Sequence, residues 1–462
     1  MIENMQNEHP PTDRRKLSLL KVALYAGFAV GAIVLICALA LLLFSDPLVN
    51  RFIKPRITKA FAEVYPAYSI RIADMNYNVL KNKFGFDSVA LRAVDGTFSN
   101  QMGQFSVGGI HWLHLLWGGS LAPNDFANSI VEAQDIMLNL TKSRYKFLCK
   151  RLRVSVPDSE IVAESLKVHP LVDDDEFFRE SNFRRTRLSI VTPQISVMGL
   201  ACLDLLQGKS YRARSVHIHD ALLDILVNKF KPDSRDTAGP FMPNEILASI
   251  KETLQVDSLS FMNGWLKYGE GFVLGAKPAF VTFDNMQVLA EGIANHGGRD
   301  AVLVIHAQAK FVNAGTMKVL MRIPVASPEF SFHYSGSLSK MELSPLNSML
   351  EISDQMRIKS GVLQEATFDV NVVSGRASGT LRGVYNDLKL AAINRQTGSE
   401  KGFSNGIKTF IANKFKILKT NVPDKSGSMK IGQVKYTRQP DDPFIQFAWF
   451  ALRIAVRDVV GF

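Results

Sequence analysis

The fold is decided by short alternating segments, of which the clearest is Asp135-Ile-Met-Leu-Asn-Leu-Thr141. Ile136, Leu138 and Leu140 fall on one side of an extended chain, and the residues between them fall on the other. A repeat of two residues is typical of a β-strand with one buried face. The segment therefore predicts a sheet that is apolar on one side and polar on the other.

The same alternation recurs in the second half of the chain, in Met317–Ile323, Phe330–Tyr334 and Phe368–Val372. Half-buried strands joined by turns are typical of antiparallel sheets. We therefore predict a mainly β (α+β) fold built on an antiparallel sheet. The turn signals that separate the strands include Lys81-Asn82-Lys83, Asn295-His296-Gly297-Gly298 and Ser374-Gly375.

Short helices interrupt the predicted strands. Helical patterns occur at Pro243–Glu252, Ser344–Glu351 and Asn405–Lys414. The charged segment Asp173–Arg185 is predicted to be a loop. A weak repeat of strand, short helix and strand marks residues 67–240, as expected when similar β units stack side by side.

An uncharged apolar run extends from Val22 to Phe44. A helix rises about 1.5 Å per residue, so this run covers the roughly 30 Å hydrocarbon core of a bilayer. A cleaved signal peptide is the alternative, although its apolar core is usually shorter, about 7–15 residues. Basic residues just before the run, from Arg14 to Lys21, favour a cytoplasmic amino terminus. We therefore predict a transmembrane helix at 22–44 and a cytoplasmic tail at 1–21.

Amphipathic segments lie at both ends of the predicted β region. Residues 45–66 and 441–462 repeat apolar side chains at helical spacing, with basic residues between them. The terminal segment is too short to span a bilayer comfortably, which leaves an interfacial helix or a cap over the end of the sheet. The residues predicted to contact the membrane are Phe52, Ile53, Ile57, Phe61, Trp449 and Phe450.

The chain is basic, with a net charge of +11 and a pI near 9.4. Such a balance favours anionic partners, which include lipid headgroups and nucleic acid. The sequence carries no zinc-finger spacing, helix-turn-helix signal or basic–aromatic RNA-binding motif, so we predict no nucleic-acid partner. Cys37 lies in the predicted span, whereas Cys149 and Cys202 either pair or remain buried thiols.

Residues with metal-binding or catalytic chemistry are scattered along the sequence. His217 and His219 would point to the same side of a strand, but no neighbouring cysteine or histidine completes a metal site. His111 and His114 lack the intervening glutamate of a zinc-protease motif. The sequence has no nucleophile elbow, phosphate-binding loop or dinucleotide fingerprint. We therefore predict a non-enzyme without catalytic residues, cofactor or metal; a hydrolase would need the two strand histidines to meet acidic groups in one pocket.

Several motifs in the second half of the chain form a recognisable series. They are Gly336-Ser-Leu-Ser-Lys-Met-Glu-Leu-Ser-Pro-Leu-Asn347, Ile358-Lys-Ser-Gly361, Phe368, Ala377-Ser-Gly-Thr-Leu381 and Tyr385-Asn-Asp-Leu388. The series resembles the carboxy-terminal region of the AsmA-like family of bacterial envelope proteins. Pro243-Asn-Glu-Ile246 and Val256-Asp-Ser-Leu-Ser260 resemble the middle part of the same family.

The resemblance implies a single-pass inner-membrane protein with most of its chain in the periplasm. It implies an elongated, curved antiparallel sheet with short flanking helices, apolar inside and polar outside, as in lipid-transfer grooves. The expected organisation is a first β region at 67–240 and a second, AsmA-like region at 241–440. The expected function is non-catalytic and consists of binding or conveying membrane lipids, or supporting outer-membrane assembly. The alternative is an envelope scaffold that recruits envelope proteins by pairing at a sheet edge.

Overall fold

The computed structural model describes residues 46–111, 122–232, 242–297, 301–325, 327, 329–393, 417–440 and 442–461. These residues form one sheet of 18 strands, which confirms the predicted mainly β fold. Within them no helix is long and apolar enough to cross a membrane, and the apolar run Val22–Phe44 lies outside them. The predicted helix at Asn405–Lys414 also lies outside the described residues.

The strands are as follows. The first half contains β1 (Tyr68–Asn78), β2 (Lys83–Ala93), β3 (Phe98–Gly108), β4 (Ile130–Leu140), β5 (Tyr145–Ser155), β6 (Glu160–Pro170), β7 (Thr186–Met198), β8 (Ser210–His219) and β9 (Leu222–Asn228). The second half contains β10 (Thr253–Gly271), β11 (Ala279–Ala294), β12 (Val302–Phe311), β13 (Gly315–Pro324), β14 (Phe332–Leu338), β15 (Met341–Glu342), β16 (Met356–Val373), β17 (Arg376–Ala392) and β18 (Ile431–Thr437).

Short helices flank the sheet, as predicted. The α-helices of the described residues are α1 (Lys54–Val64), α2 (Asp174–Arg179), α3 (Cys202–Leu206), α4 (Pro243–Ser249), α5 (Asn347–Ser353) and α6 (Phe444–Val460). A π-helical turn, Val49–Ile53, leads directly into α1, and 3₁₀ turns lie at Pro123–Phe126 and Ser344–Leu346.

Most neighbouring strands are consecutive in the chain and antiparallel, from β1 at one end of the sheet to β18 at the other. Two places depart from this meander. β14 and β15 both pair with β16. β8 and β9 lie end to end, and both pair with β7 on one side and β10 on the other.

The ladders that join β10 to β8 and β9 are parallel, so the antiparallel prediction is wrong at this junction. Parallel neighbours need a crossover of about a dozen or more residues. Residues 229–252 supply it, with α4 inside the crossover. The predicted boundary at residues 240 and 241 falls here as well. Hydrogen bonding continues across it, so both β regions belong to one sheet.

Several strands of the first half and of the centre of the sheet reverse their side-chain alternation, so that the apolar side chains before and after the reversal still face the same side. These reversals lie in one line across the strands. Exposed polar residues adopt the left-handed conformation there, with φ between 48° and 53°. Asn and Asp tolerate this conformation better than most residues. Because it reverses the alternation, Ala133 and Ile136 belong to one apolar cluster although they are three positions apart. The residues at this level are Ser88, Asp135, Ser165, Asp220, Asn263 and Asn285.

The predicted loop Asp173–Arg185 is wrong in part, because it contains α2. The Asp173 side chain accepts a hydrogen bond from the Glu176 amide at 2.8 Å and so caps the helix. Phe177 and Phe178 of α2 are buried, and the Phe177 ring meets that of Tyr145 with centroids 5.8 Å apart. Two buried aromatic rings thus order a segment whose acidic residues alone suggested a loop.

The helical segment before β1 occupies part of that strand's outer edge. The Asp46 carboxylate accepts from the Tyr77 amide at 3.0 Å. The Asn50 amide group pairs with both backbone groups of Met75, at 2.9 and 2.6 Å. Lys54 donates to the Ala73 carbonyl. Four helical residues rise about 6 Å and two strand residues about 6.7 Å, so the two spacings stay nearly in step.

Replacing Asn50 by alanine is expected to lower the free energy of unfolding by about 1–3 kcal/mol, because both backbone groups of Met75 lose their partner. Chemical denaturation of the full chain in detergent measures this loss. Hydrogen exchange at the Met75 amide should accelerate. Lys59→Ala, whose side chain is 80% exposed on the same helix, should change stability by less than about 0.5 kcal/mol. Equal effects of the two substitutions would contradict the edge contact.

Helix α6 covers the last strands of the sheet. The Tyr334 hydroxyl of β14 donates to the Ala448 carbonyl at 3.1 Å. At Gly432 of β18 an added Cβ would lie 2.2 Å from the carbonyl oxygen of Ala455, so only glycine allows this approach. The Gln433 amide of β18 donates to the Asp458 carboxylate at 3.1 Å. The buried face of α6 consists of Phe447, Ala448, Ala451, Ala455 and Val459.

Candidate functional site: the apolar face

One register row crosses the sheet from β1 to β18, and every residue in it is apolar or glycine. Strands are about 4.8 Å apart, so the row is roughly 70 Å long. We call the side of the sheet that carries this row the apolar face. In order, the row is Met75, Phe86, Phe105, Ala133, Leu152, Ala163, Ile195, Ile218, Phe261, Val288, Ala307, Val319, Gly336, Phe368, Leu381 and Gly432.

An adjacent row, one residue along each strand, is polar through the whole first half of the sheet. Its residues face the opposite side, since side chains alternate across a strand. At this level the first half of the sheet is therefore apolar on one side and polar on the other, as the sequence predicts. The polar row is Asp74, Asp87, Gln104, Gln134, Arg151, Glu164, Gln194 and His219.

The apolar face is closed where helices cover it. Val370 of β16 and Val434 of β18 are 0% and 1% exposed beneath α6. At one edge of this region α4 binds the chain before β14, where the Asn244 amide donates to the Glu329 carbonyl at 3.2 Å. At the other edge α5 reaches β11, where the Ser348 hydroxyl donates to the Phe280 carbonyl at 2.9 Å. The last strands therefore enclose a packed core.

The same face is less well covered from β2 to β7. Most of its large apolar side chains there stay partly exposed, although Val89 and Ile136 are buried. Buried positions in this part include small residues, such as Ala133 and Ala163. The partly exposed residues are Phe84, Phe86, Phe105, Val107, Leu138, Phe147, Leu152, Val154, Ile161 and Leu166.

Electrostatics differ between the two sides of this region. On the apolar face, burial raises the pKa of the Cys149 thiol, which keeps it neutral. The Thr192 hydroxyl is turned into the backbone and donates to the His219 carbonyl at 3.0 Å. On the polar side, Lys83 donates to Glu132 at 2.6 Å, and this hydrogen bond lowers the pKa of Glu132. Charge is thus confined to one side.

The candidate metal ligands do not converge. His217 lies within hydrogen-bond distance of the Ser260 hydroxyl, at 3.0 Å, and of the Ser215 hydroxyl, at 2.9 Å. In the part of the chain that the structure describes, no three His, Cys, Asp or Glu side chains are grouped to hold a metal ion. Cys149 and Cys202 are both free and buried, in separate apolar clusters.

The six residues predicted to contact the membrane occupy different environments. Phe52 and Ile53 are exposed, and so is Trp449 on the outer side of α6. Ile57 packs against the cluster that contains Val49, Ile72, Met75 and Val89. The other two are partly covered by aromatic neighbours: Phe61 by Tyr65 at 5.2 Å, and Phe450 by Tyr436 at 6.0 Å.

The two end strands bear on the alternative of sheet-edge pairing. The Ala73, Met75 and Tyr77 backbone groups of β1 already bond to the preceding helical segment. The Gln433 amide of β18 already bonds to α6. Strand addition needs free backbone groups along an edge. At these positions an added strand would first have to displace the helical segment or α6.

No family model matches the chain, and no curated protein matches it. The AsmA-like resemblance therefore stays a prediction from the motifs between Pro243 and Leu388. The register row was not predicted, because single strands show alternation but not which residues of other strands lie beside them. In β4 the row residue Ala133 also follows the opposite phase from the alternating segment Asp135–Thr141, because Asp135 reverses the alternation.

Proposed function

We propose that this protein is a membrane-anchored envelope protein whose apolar face binds or conveys lipid acyl chains without catalysis. The contrast along the apolar face carries the proposal. Beneath α6, Val370 and Val434 are at most 1% exposed, whereas most of the large apolar side chains of the same face between β2 and β7 are partly exposed. Large apolar side chains that stay partly exposed on several neighbouring strands are unfavourable in water unless a ligand covers them.

The chemistry of the apolar face favours acyl chains over polar ligands. Its side chains offer mainly dispersion contacts; the Thr192 hydroxyl bonds to the backbone, and Asn100, beside Leu138, is a polar residue on the same face. The row runs across strands for several tens of ångströms, which is long enough for an extended acyl chain. The predicted span at Val22–Phe44 would keep the amino-terminal end of the sheet beside a source of lipid. By supplying or sequestering lipid on this face, the protein would support envelope assembly.

Lipid extraction tests this function. The full chain is purified in detergent, and its lipids are extracted and measured by mass spectrometry after extensive delipidating washes. The expected result is diacyl lipid retained in stoichiometric amounts. A water-soluble chain beginning at Asp46 serves as a second sample if it folds, because it removes lipid held only by the predicted span. Absence of retained lipid from both samples, with circular dichroism showing intact β structure, would overturn the proposal.

A further inference from the structure

An exposed apolar corner lies where the described chain begins. Leu80, at the tip of the β1–β2 hairpin, is 86% exposed. Leu48 and Phe52 on the preceding helical segment are exposed as well. The cationic side chains Arg51 and Lys81 lie among them and are exposed. We call these five residues the anchor-side corner.

Hydrogen bonds fix the two parts of the corner together. The Asp46 carboxylate accepts from the Tyr77 amide at 3.0 Å, and its backbone carbonyl accepts from the Asn50 side chain at 3.1 Å. Leu80 follows Tyr77 by three residues, a reach of at most about 10 Å. The hairpin tip therefore stays close to the start of the helical segment.

The apolar run that predicts the membrane span ends at Phe44, two residues before Asp46. A span that ends there brings the hairpin tip to the level of the lipid headgroups. The Arg51 guanidinium lies over the Phe52 ring, 5.7 Å from its centroid. A cation beside an aromatic ring is a typical arrangement at the bilayer interface, where the cation meets anionic headgroups and the ring meets acyl chains.

We propose that the anchor-side corner inserts Leu80 and Phe52 into the interface of an anionic bilayer, with Arg51 and Lys81 at the headgroups. This inference rests on the membrane anchor of the proposed function. It adds a second attachment, which fixes the orientation of the sheet relative to the membrane. Leu80 has no counterpart among the residues predicted from sequence, because it lies alone in a turn rather than in an amphipathic repeat.

Site-directed fluorescence tests the insertion. Full-length Cys37→Ser protein carries Leu80→Cys or, as a matched control, Val273→Cys. Val273 is a 53% exposed apolar residue after β10, about 40 Å from β1 across the sheet. Both cysteines are labelled with an environment-sensitive dye, since Cys149 and Cys202 are buried. The protein is reconstituted into vesicles of phosphatidylcholine and phosphatidylglycerol.

We expect the dye at position 80 to emit at shorter wavelength, to be quenched by headgroup-proximal nitroxide lipids, and to resist aqueous iodide. The dye at position 273 should show the reverse. Equal iodide quenching at both positions, on protein that floats with the vesicles, would overturn the corner while leaving the anchor intact. Protein that fails to float would overturn the anchor, and the corner with it.

Discussion

Replacing Phe447 by alanine is expected to lower the free energy of unfolding by about 3–5 kcal/mol, the usual cost of deleting a buried aromatic ring. Phe447 is 0% exposed and touches several aromatic rings, with centroids 5.2 Å from Phe330 and 5.6 Å from Tyr436. Its loss leaves a cavity between α6 and the last strands. The chain should then lose the packed end of its apolar face.

Chemical denaturation of the full chain in detergent measures this change. Ile445→Ala is the matched control, because Ile445 lies two positions away on the same helix and is 67% exposed. We expect that control to shift stability by less than about 0.5 kcal/mol. If the two substitutions cost the same, α6 does not pack through Phe447.

Replacing Leu138 by aspartate is expected to reduce retained lipid about tenfold or more. Leu138 lies on the partly exposed part of the apolar face, between Asn100 of β3 and Phe147 of β5. A carboxylate there must either lose its hydration or exclude the acyl chain, and each route costs several kcal/mol. Each 1.4 kcal/mol corresponds to about a factor of ten in affinity.

Met137→Asp provides the comparison, because Met137 is the preceding residue of β4 and faces the opposite side. Lipid extraction and mass spectrometry are applied to both variants after circular dichroism has shown equal β content. Retention should survive in the Met137 variant alone. Equal retention in both variants would show that lipid does not occupy the apolar face.

The fold class could be predicted because a two-residue repeat is a local signal. Asp135–Thr141 shows it without help from any other strand, and the structure places Leu138 beside Phe147 as such a strand requires. The extent of each strand was harder to predict. β4 begins at Ile130, but its first half follows the opposite phase because Asp135 adopts a φ of 51°. A strict alternation rule stops at that residue.

Long-range features had no local signal at all. The parallel junction at β10 depends on where a crossover returns the chain, which no repeat within β10 encodes. The helical segment lies along the outer edge of β1 because Asp46 and Asn50 bond to backbone groups of Tyr77 and Met75. These partners are more than twenty residues away in the sequence. In α2 the charged residues outnumber the aromatic ones, so the burial of Phe177 was concealed.

The candidate site shows the same limit. An apolar strand face predicts that something covers it, but the sequence does not say what. The structure supplies the missing contrast, because α6 covers the face over Val370 whereas Leu138 stays partly exposed. The exposed corner at Leu80 was missed for another reason, since a lone apolar residue in a turn carries no periodic signal.

Photo-crosslinking along β4 tests the central claim most directly, namely that lipid lies on the apolar face. A photoreactive phenylalanine analogue is placed at Val131, Glu132, Met137 or Leu138 of the full chain in native membranes. The register puts Val131 beside Val107 and Leu138 beside Phe147. Val131 and Leu138 therefore both lie on the apolar face, although they are an odd number of positions apart in β4. We predict lipid adducts at Val131 and Leu138 and none at Glu132 and Met137. Adducts at Glu132 or Met137 would contradict the claim. So would the absence of adducts from both Val131 and Leu138.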